Sequence, residues 1–156
     1  MKHFFLLALI IIISSCEGNK NQVSPNKNQD QKFDAYKEAF VLRLWKMHPG
    51  WASSTGYHKY DSILVIPDAD REKLEKIFAE RELAKLEEFN PRKLSPANKI
   101  DFLLIDNLIK RSQWEISELQ SSEWDPSGYN VCGGFAEMLA NNYAPAEQRY
   151  MPLELS

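Results

Sequence analysis

Apolar residues recur at helical spacing along most of this chain, with polar residues on the opposite faces. Phe33, Tyr36, Phe40, Val41, Leu44 and Trp45 form one such stripe, with Lys37, Glu38 and Arg43 across from it, which predicts an amphipathic helix. His48-Pro49 stops that helix, because a residue before proline avoids the helical region. Pro49 then opens a short helix ending at Gly56, with proline just inside the start and glycine just past the end. Asp68 caps a long charged helix from Ala69 to Phe89, for which Leu74, Ile77, Phe78 and Leu86 are the expected contacts. Asn90-Pro91 closes it. Ser95-Pro96 opens the next helix, whose inward stripe is Ile105, Leu108, Ile109, Ile116 and Leu119. Trp124-Asp125-Pro126-Ser127-Gly128 is turn chemistry, Gly134 to Asn142 reads as a shorter helix, and Pro145 begins one more. Ser62 to Pro67 holds a short apolar run, Ile63 to Ile66, which suits an extended loop better than a strand because no second strand pattern is in view. The expected fold class is all-α, built from helical hairpins in a single domain over residues 33–156, without internal repeats.

The chain before Phe33 follows another pattern. Lys2 supplies a positive start, Phe4 to Ile13 an apolar run, and Ser14-Ser15 the small residues that a signal peptidase needs. Cys16 follows at once. That order resembles a bacterial lipoprotein signal, with residues 1–15 removed and Cys16 as the lipid acceptor, which places the protein in the bacterial cell envelope, outside the cytoplasm. An uncleaved membrane anchor is the alternative, but the run has ten apolar residues where spanning a bilayer takes roughly 20. Glu17 to Lys32 carries Asn, Gln, Lys and Ser with almost nothing apolar. Such a stretch cannot offset its ordering entropy by burial, so residues 16–32 are expected to form a lipidated flexible tether.

The formal net charge of -3 gives no electrostatic reason to bind nucleic acid, whose phosphates demand a basic face. With two cysteines in the chain and Cys16 lipidated, Cys132 has no partner for a disulfide. Its neighbours Asn130, Val131, Gly133 and Gly134 offer nothing to activate a thiol, so a small buried hydrophobe is the expected role.

Motifs for catalysis are sparse. Of three histidines, His3 leaves with the signal, and His48 and His58 do not form the helical His-Glu-x-x-His pair that binds zinc. No Gly-x-Ser-x-Gly elbow and no phosphate-binding glycine loop occurs. The carboxylates of Asp68 to Glu88 alternate with Lys and Arg, so Glu72–Lys76 and Glu82–Lys85 read as surface pairs. Asp101 and Asp106 face opposite ways on their helix. No catalytic residue and no metal ligand is therefore assigned. The segment that stands out runs from His48 to Asp61 and gathers Trp51, Tyr57, His58, Tyr60 and Asp61 around a tight turn. As function, it is a polar and aromatic lip over a cleft. As structure alone, His48 caps the short helix, Trp51 packs, and Asp61 ties the loop to backbone amides.

The pattern His48-Pro49-x-x-Ala52-x-x-x-Gly56-x-His58-x-Tyr60-Asp61 resembles the amino-terminal signature of the bacterial "domain of unknown function 885" family. Phe89-Asn90-Pro91, Leu94-Ser95-Pro96, Trp124-Asp125-Pro126 with Tyr129, and Tyr143-Ala144-Pro145 with Glu147 and Arg149 follow in the matching order. The resemblance covers about residues 33 to 156 and implies a large, mostly helical, zinc-peptidase-like lipoprotein that hydrolyses peptides in a deep cleft. It also implies that the zinc site lies beyond the point matching Ser156, so zinc is expected in a full-length relative and not here. On this reading the chain is a truncated amino-terminal region, inactive by itself. Tyr57, His58, Tyr60 and Asp61 are its candidate cleft-lining residues, its partners are the membrane through Cys16 and peptides or a missing carboxy-terminal portion, and Phe40, Leu108 and Phe135 are left partly wet. The alternative is a complete lipid-anchored helical module that binds a protein or peptide without catalysis.

Overall fold

The structure of the chain, a computed structural model, describes residues 25–130, 132, 133, 136, 140, 142–149 and 154–155. The expected signal peptide, Cys16, residues 17–24 of the tether and Phe135 lie outside the described residues. The fold is all-α. In order come α1 (Lys27–Met47), α2 (Pro49–Ser54), a single 3-10 turn at His58–Tyr60, α3 (Ala69–Leu86), a second 3-10 turn at Pro91–Lys93, α4 (Pro96–Trp114), α5 (Ser121–Trp124), a 3-10 turn at Pro126–Tyr129 and α6 (Ala146–Arg149). Of the helix expected over Gly134 to Asn142, Ala136, Ala140 and Asn142 are described; the two alanines are helical and Asn142 is not.

Local chemistry sets most boundaries. Asp68 Oδ1 accepts the Arg71 amide at 2.8 Å, and Ser95 Oγ accepts the Asn98 amide at 3.3 Å, so both predicted caps satisfy otherwise open helix-end donors. Gly56 follows α2 with φ +89°, a conformation that glycine adopts without a Cβ clash. The beginning of α1 departs from expectation, since it starts at Lys27 rather than Phe33. Asn26 Oδ1 accepts the amides of Asn28 at 3.1 Å and Gln29 at 3.4 Å, while its own N–H donates to Lys93 O at 2.9 Å. Asp30 receives the Ser95 amide at 2.9 Å and Asn98 Nδ2 at 3.0 Å. Tertiary hydrogen bonds thus extend the helix into a polar stretch that has no burial of its own. Those same donors, the Ser95 amide first and Asn98 second, hold the Asp30 carboxyl below its ordinary range.

The core lies where α1, α3 and α4 meet. Phe33, Phe40 and Leu44 come from α1, Phe78, Ala79 and Leu86 from α3, Leu94 from the turn, and Ile105 and Ile109 from α4. Phe33 meets the edge of Phe89 at 5.2 Å between centroids with planes 79° apart, a favoured aromatic geometry. Two expectations fail on α3, which ends at Leu86 rather than Phe89. Leu74 is 53% exposed and Ile77 47%. The stripe that faces the core runs through Glu75, Phe78, Ala79, Glu82 and Leu86 at helical period, so charged residues occupy inward positions and turn Leu74 and Ile77 outward.

Glu82 is the larger correction. It does pair with Lys85, as the spacing predicts, but it is buried at 0% exposure rather than on the surface. Arg43 grips it in a fork, Nε to Oε1 at 2.9 Å and Nη2 to Oε2 at 2.6 Å, and Lys85 and Arg81 each reach Oε1 at 3.2 Å. Desolvation pushes its carboxyl upward, yet the hydrogen bonds from Arg43 and then Lys85 outweigh that and leave it below the usual glutamate range. The neighbouring Tyr36 hydroxyl donates to Glu82 O at 3.3 Å, and burial, then the Glu82 charge, raises its pKa. Glu72, by contrast, does not pair with Lys76, and its Oε2 accepts the Ser122 hydroxyl at 2.9 Å instead.

After α4 the chain widens into one π-helical stretch, Glu115–Leu119, which ends at Gln120 in the left-handed region with φ 49°. Ile116 and Leu119 are half-buried there. The run at Ile63 is not wholly a loop, because Ile63–Leu64 pairs in parallel with Glu154–Leu155. Its partner strand is two residues long and sits at the far end of the sequence, which left no pattern to read.

Candidate functional site

α2 fixes the base of the candidate site. Thr55 closes it by donating Oγ1 to Ala52 O at 2.9 Å, Gly56 turns the chain, and the Tyr57 amide returns to Ala52 O at 2.8 Å. Tyr57 then stacks on Trp45 of α1 at 4.4 Å. The 3-10 turn that follows sets His58 and Asp61 three residues apart, so His58 Nδ1 lies 3.0 Å from Asp61 Oδ2. Tyr60 packs 5.8 Å from Tyr57, with the Lys59 ammonium 5.7 Å from its ring centre.

A further residue completes the cluster from far along the chain. Tyr143 donates its hydroxyl to Asp61 Oδ2 at 2.5 Å, and its ring stacks on His58 at 3.6 Å with planes 3° apart. In the sequence Tyr143 is a landmark beside Pro145, and nothing in its spacing places it in the site. The Asp61 side chain is 14% exposed and that of His58 31%, so the carboxylate sits below and the imidazole at the rim. A carboxylate accepts and does not donate, so the bond to Asp61 is made by a proton on His58 Nδ1. Asp61 Oδ1 is buried without a hydrogen-bond partner among the described residues. The structure places Tyr57, His58, Tyr60 and Asp61 side by side around the 3-10 turn, and Asp61 serves His58 and Tyr143 rather than backbone amides.

The other members of the segment do different work. His48 precedes α2 without a side-chain capping bond, and Trp51 is 46% exposed, so neither plays the structural part expected. His48 faces α3 instead, with Nδ1 3.9 Å from Glu75 Oε1. Burial first, and Arg71 second, lower its pKa against the opposing pull of Glu75. Arg71 holds Glu75 Oε1 at 2.9 Å and also donates Nη2 to Met47 O. Cys132 is exposed rather than buried.

Zinc does not fit the donors in hand. His58 Nδ1 is committed to Asp61, His48 lies on another face against Glu75 and Arg71, and no group of three or more His, Cys, Asp or Glu among the described residues is placed to hold a metal ion. No described helix is long and apolar enough to cross a membrane. An open apolar groove of about 580 Å³ runs between α1 and α4 along Val41, Leu42, Trp45, Leu104 and Ile105, and Ile100 and Leu103 are exposed beside it.

The chain is similar to a solved protein. That protein is a candidate lipoprotein of unknown function from Shewanella oneidensis, 39% identical, with a TM-score of 0.72 over 75% of this chain and 21% of that one. The match spans about a fifth of that protein's length. No protein-family model and no curated protein matches the chain.

Proposed function

We propose that this chain is the opening helical part of a lipid-anchored envelope protein, held to a membrane through Cys16, and that Tyr57, His58, Tyr60 and Asp61 line a cleft that receives peptide. The observation that carries this reading is the likeness to a candidate lipoprotein of which the chain matches 21%. The cluster supplies suitable chemistry. The His58 imidazole at the rim is a hydrogen-bonding group within reach of a peptide, and Tyr57 and Tyr60 offer aromatic faces. Zinc-dependent hydrolysis, which the resemblance to the domain-of-unknown-function family suggests, belongs on this proposal to a longer protein, since no group among the described residues is placed to hold the metal.

Two experiments test it together. Metabolic labelling with palmitate should mark the full chain, and Cys16→Ser should abolish the label and release the protein from membranes. The reading frame after the Ser156 codon should continue into a His-Glu-x-x-His helix, and the longer product should bind zinc and cleave peptides while the present chain does neither. An unlabelled chain overturns the anchor, and a frame that stops or lacks the motif overturns the peptidase part. A second reading, a complete helical module that binds a partner, draws support from the core. Phe40, expected to be partly wet in a truncated domain, is 2% exposed, so α1, α3 and α4 close around it without further helices, although Leu108 stays half-buried. A cooperative melt of the full chain favours this module.

A further inference from the structure

Behind the lip, and separate from the His58–Asp61–Tyr143 cluster, a pocket of about 120 Å³ opens between α1, α2, α3 and α4. Its floor is Phe40, Leu44, Phe78, Ala79, Leu108 and Ile109. Its mouth is different. Trp51, His48, Glu75 and Ser112 complete the lining and include its more exposed members, with Trp51 46% exposed and the His48 and Glu75 side chains 34% and 28% exposed, which marks them as the mouth. An apolar cavity of about 150 Å³ is enough to take up benzene, and a mostly apolar cavity with a few convergent polar groups is the ordinary form of a ligand site.

We infer that this pocket binds one small apolar group, the size of a phenyl or isobutyl, that carries a hydrogen-bond donor on the carbon at its mouth. The floor accepts the ring or branched alkyl by dispersion and dehydration. Among the polar lining residues the Glu75 carboxylate, whose Oε1 is held by Arg71 at 2.9 Å, is an acceptor, and the Ser112 hydroxyl is the second polar group. A ligand whose head is a carboxylate is disfavoured, since it would set one anion against another. The same chemistry serves a free aryl or alkyl alcohol and the side chain of a peptide residue, where the backbone N–H is the donor. The inference stands whether or not the peptide cleft proposed above exists, because the two sites share no residue.

The test is methyl NMR on the full chain in lipid nanodiscs, following Leu44, Leu108 and Ile109 during titration with benzyl alcohol, benzoate and N-acetyl-phenylalanine amide. Benzyl alcohol should give saturable shifts at those methyls, and benzoate should give none. Saturation by the amino-acid amide as well assigns the pocket to a peptide side chain, and its failure beside a positive benzyl alcohol result assigns it to a free small molecule. Ala79→Leu fills the floor and should abolish the shifts. Ser112→Val, which narrows the mouth from α4, is the second variant should the first not fold. Shifts that do not saturate, that survive in a folded filled variant, or that benzoate reproduces overturn the inference.

Discussion

Glu82 shows how one residue can decide the behaviour of a whole face. A buried carboxylate held by Arg43 and Lys85 is costly to leave half-paired, and removing one member of such a pair typically costs about 3–5 kcal/mol. Arg43→Ala and Glu82→Ala should therefore each lower stability by that order in chemical denaturation, whereas replacing both by apolar residues should cost less than either. The pH dependence has a definite sign. The folded pKa of Glu82 lies below the ordinary 4.5, so its stabilisation is complete above that value and fades as pH falls through the lower folded value. Glu82→Gln should flatten that acid limb. His48 acts higher on the scale, since its folded pKa is lowered from 6.5. The unfolded chain takes up its proton first, so stability should fall as pH drops below about 6.5, and a His48→Gln variant should lose that slope in melts compared at pH 7.5 and 5.5. Neither effect was visible in the sequence. Glu82 sits in an alternating charged run, and its partner Arg43 is 39 residues away.

Helices were legible where their ends carry their own chemistry. Pro49 and Gly56, Asp68, Asn90-Pro91 and Ser95-Pro96 act on neighbours within a few residues, so spacing alone exposed them. Ser95 does more than cap, because its amide also binds Asp30 at 2.9 Å. Ser95→Ala should cost about 1 kcal/mol, measured by urea denaturation, with α1 still intact because the amide remains. What the sequence hid is longer in range. The first turn of α1 depends on Lys93, Ser95 and Asn98, the inward face of α3 is set by helices it has yet to meet, and the two-residue strand at Ile63 depends on Glu154. Gln120 is a fourth case, a left-handed residue at the end of the π-helical stretch with nothing in its neighbours to announce it. Left-handed backbone costs a side-chain-bearing residue about 1–2 kcal/mol, so Gln120→Gly should leave stability unchanged or raise it, readable as a higher melting temperature.

Across the whole molecule the closed core and the open groove on α4 pull in different directions. Leu104 is 65% exposed on a surface continuous with Leu42, Leu103 and Ile100. Leu104→Glu should leave the stability of this chain within about 0.5 kcal/mol while reducing self-association in light scattering. The candidate site was half legible at this scale, since Tyr57 to Asp61 are neighbours in sequence and Tyr143 is not. Its bond to Asp61 reaches across 82 residues, and closing a loop of that length costs about 4 kcal/mol in chain entropy by the logarithmic rule. Synthesis delivers a chain from its amino terminus, so His58 and Asp61 are made and in place long before Tyr143 emerges to meet them. The cluster thus closes only after residue 143 is made, and an imidazole stacked under Tyr143 is a signature that two segments far apart in the sequence have met.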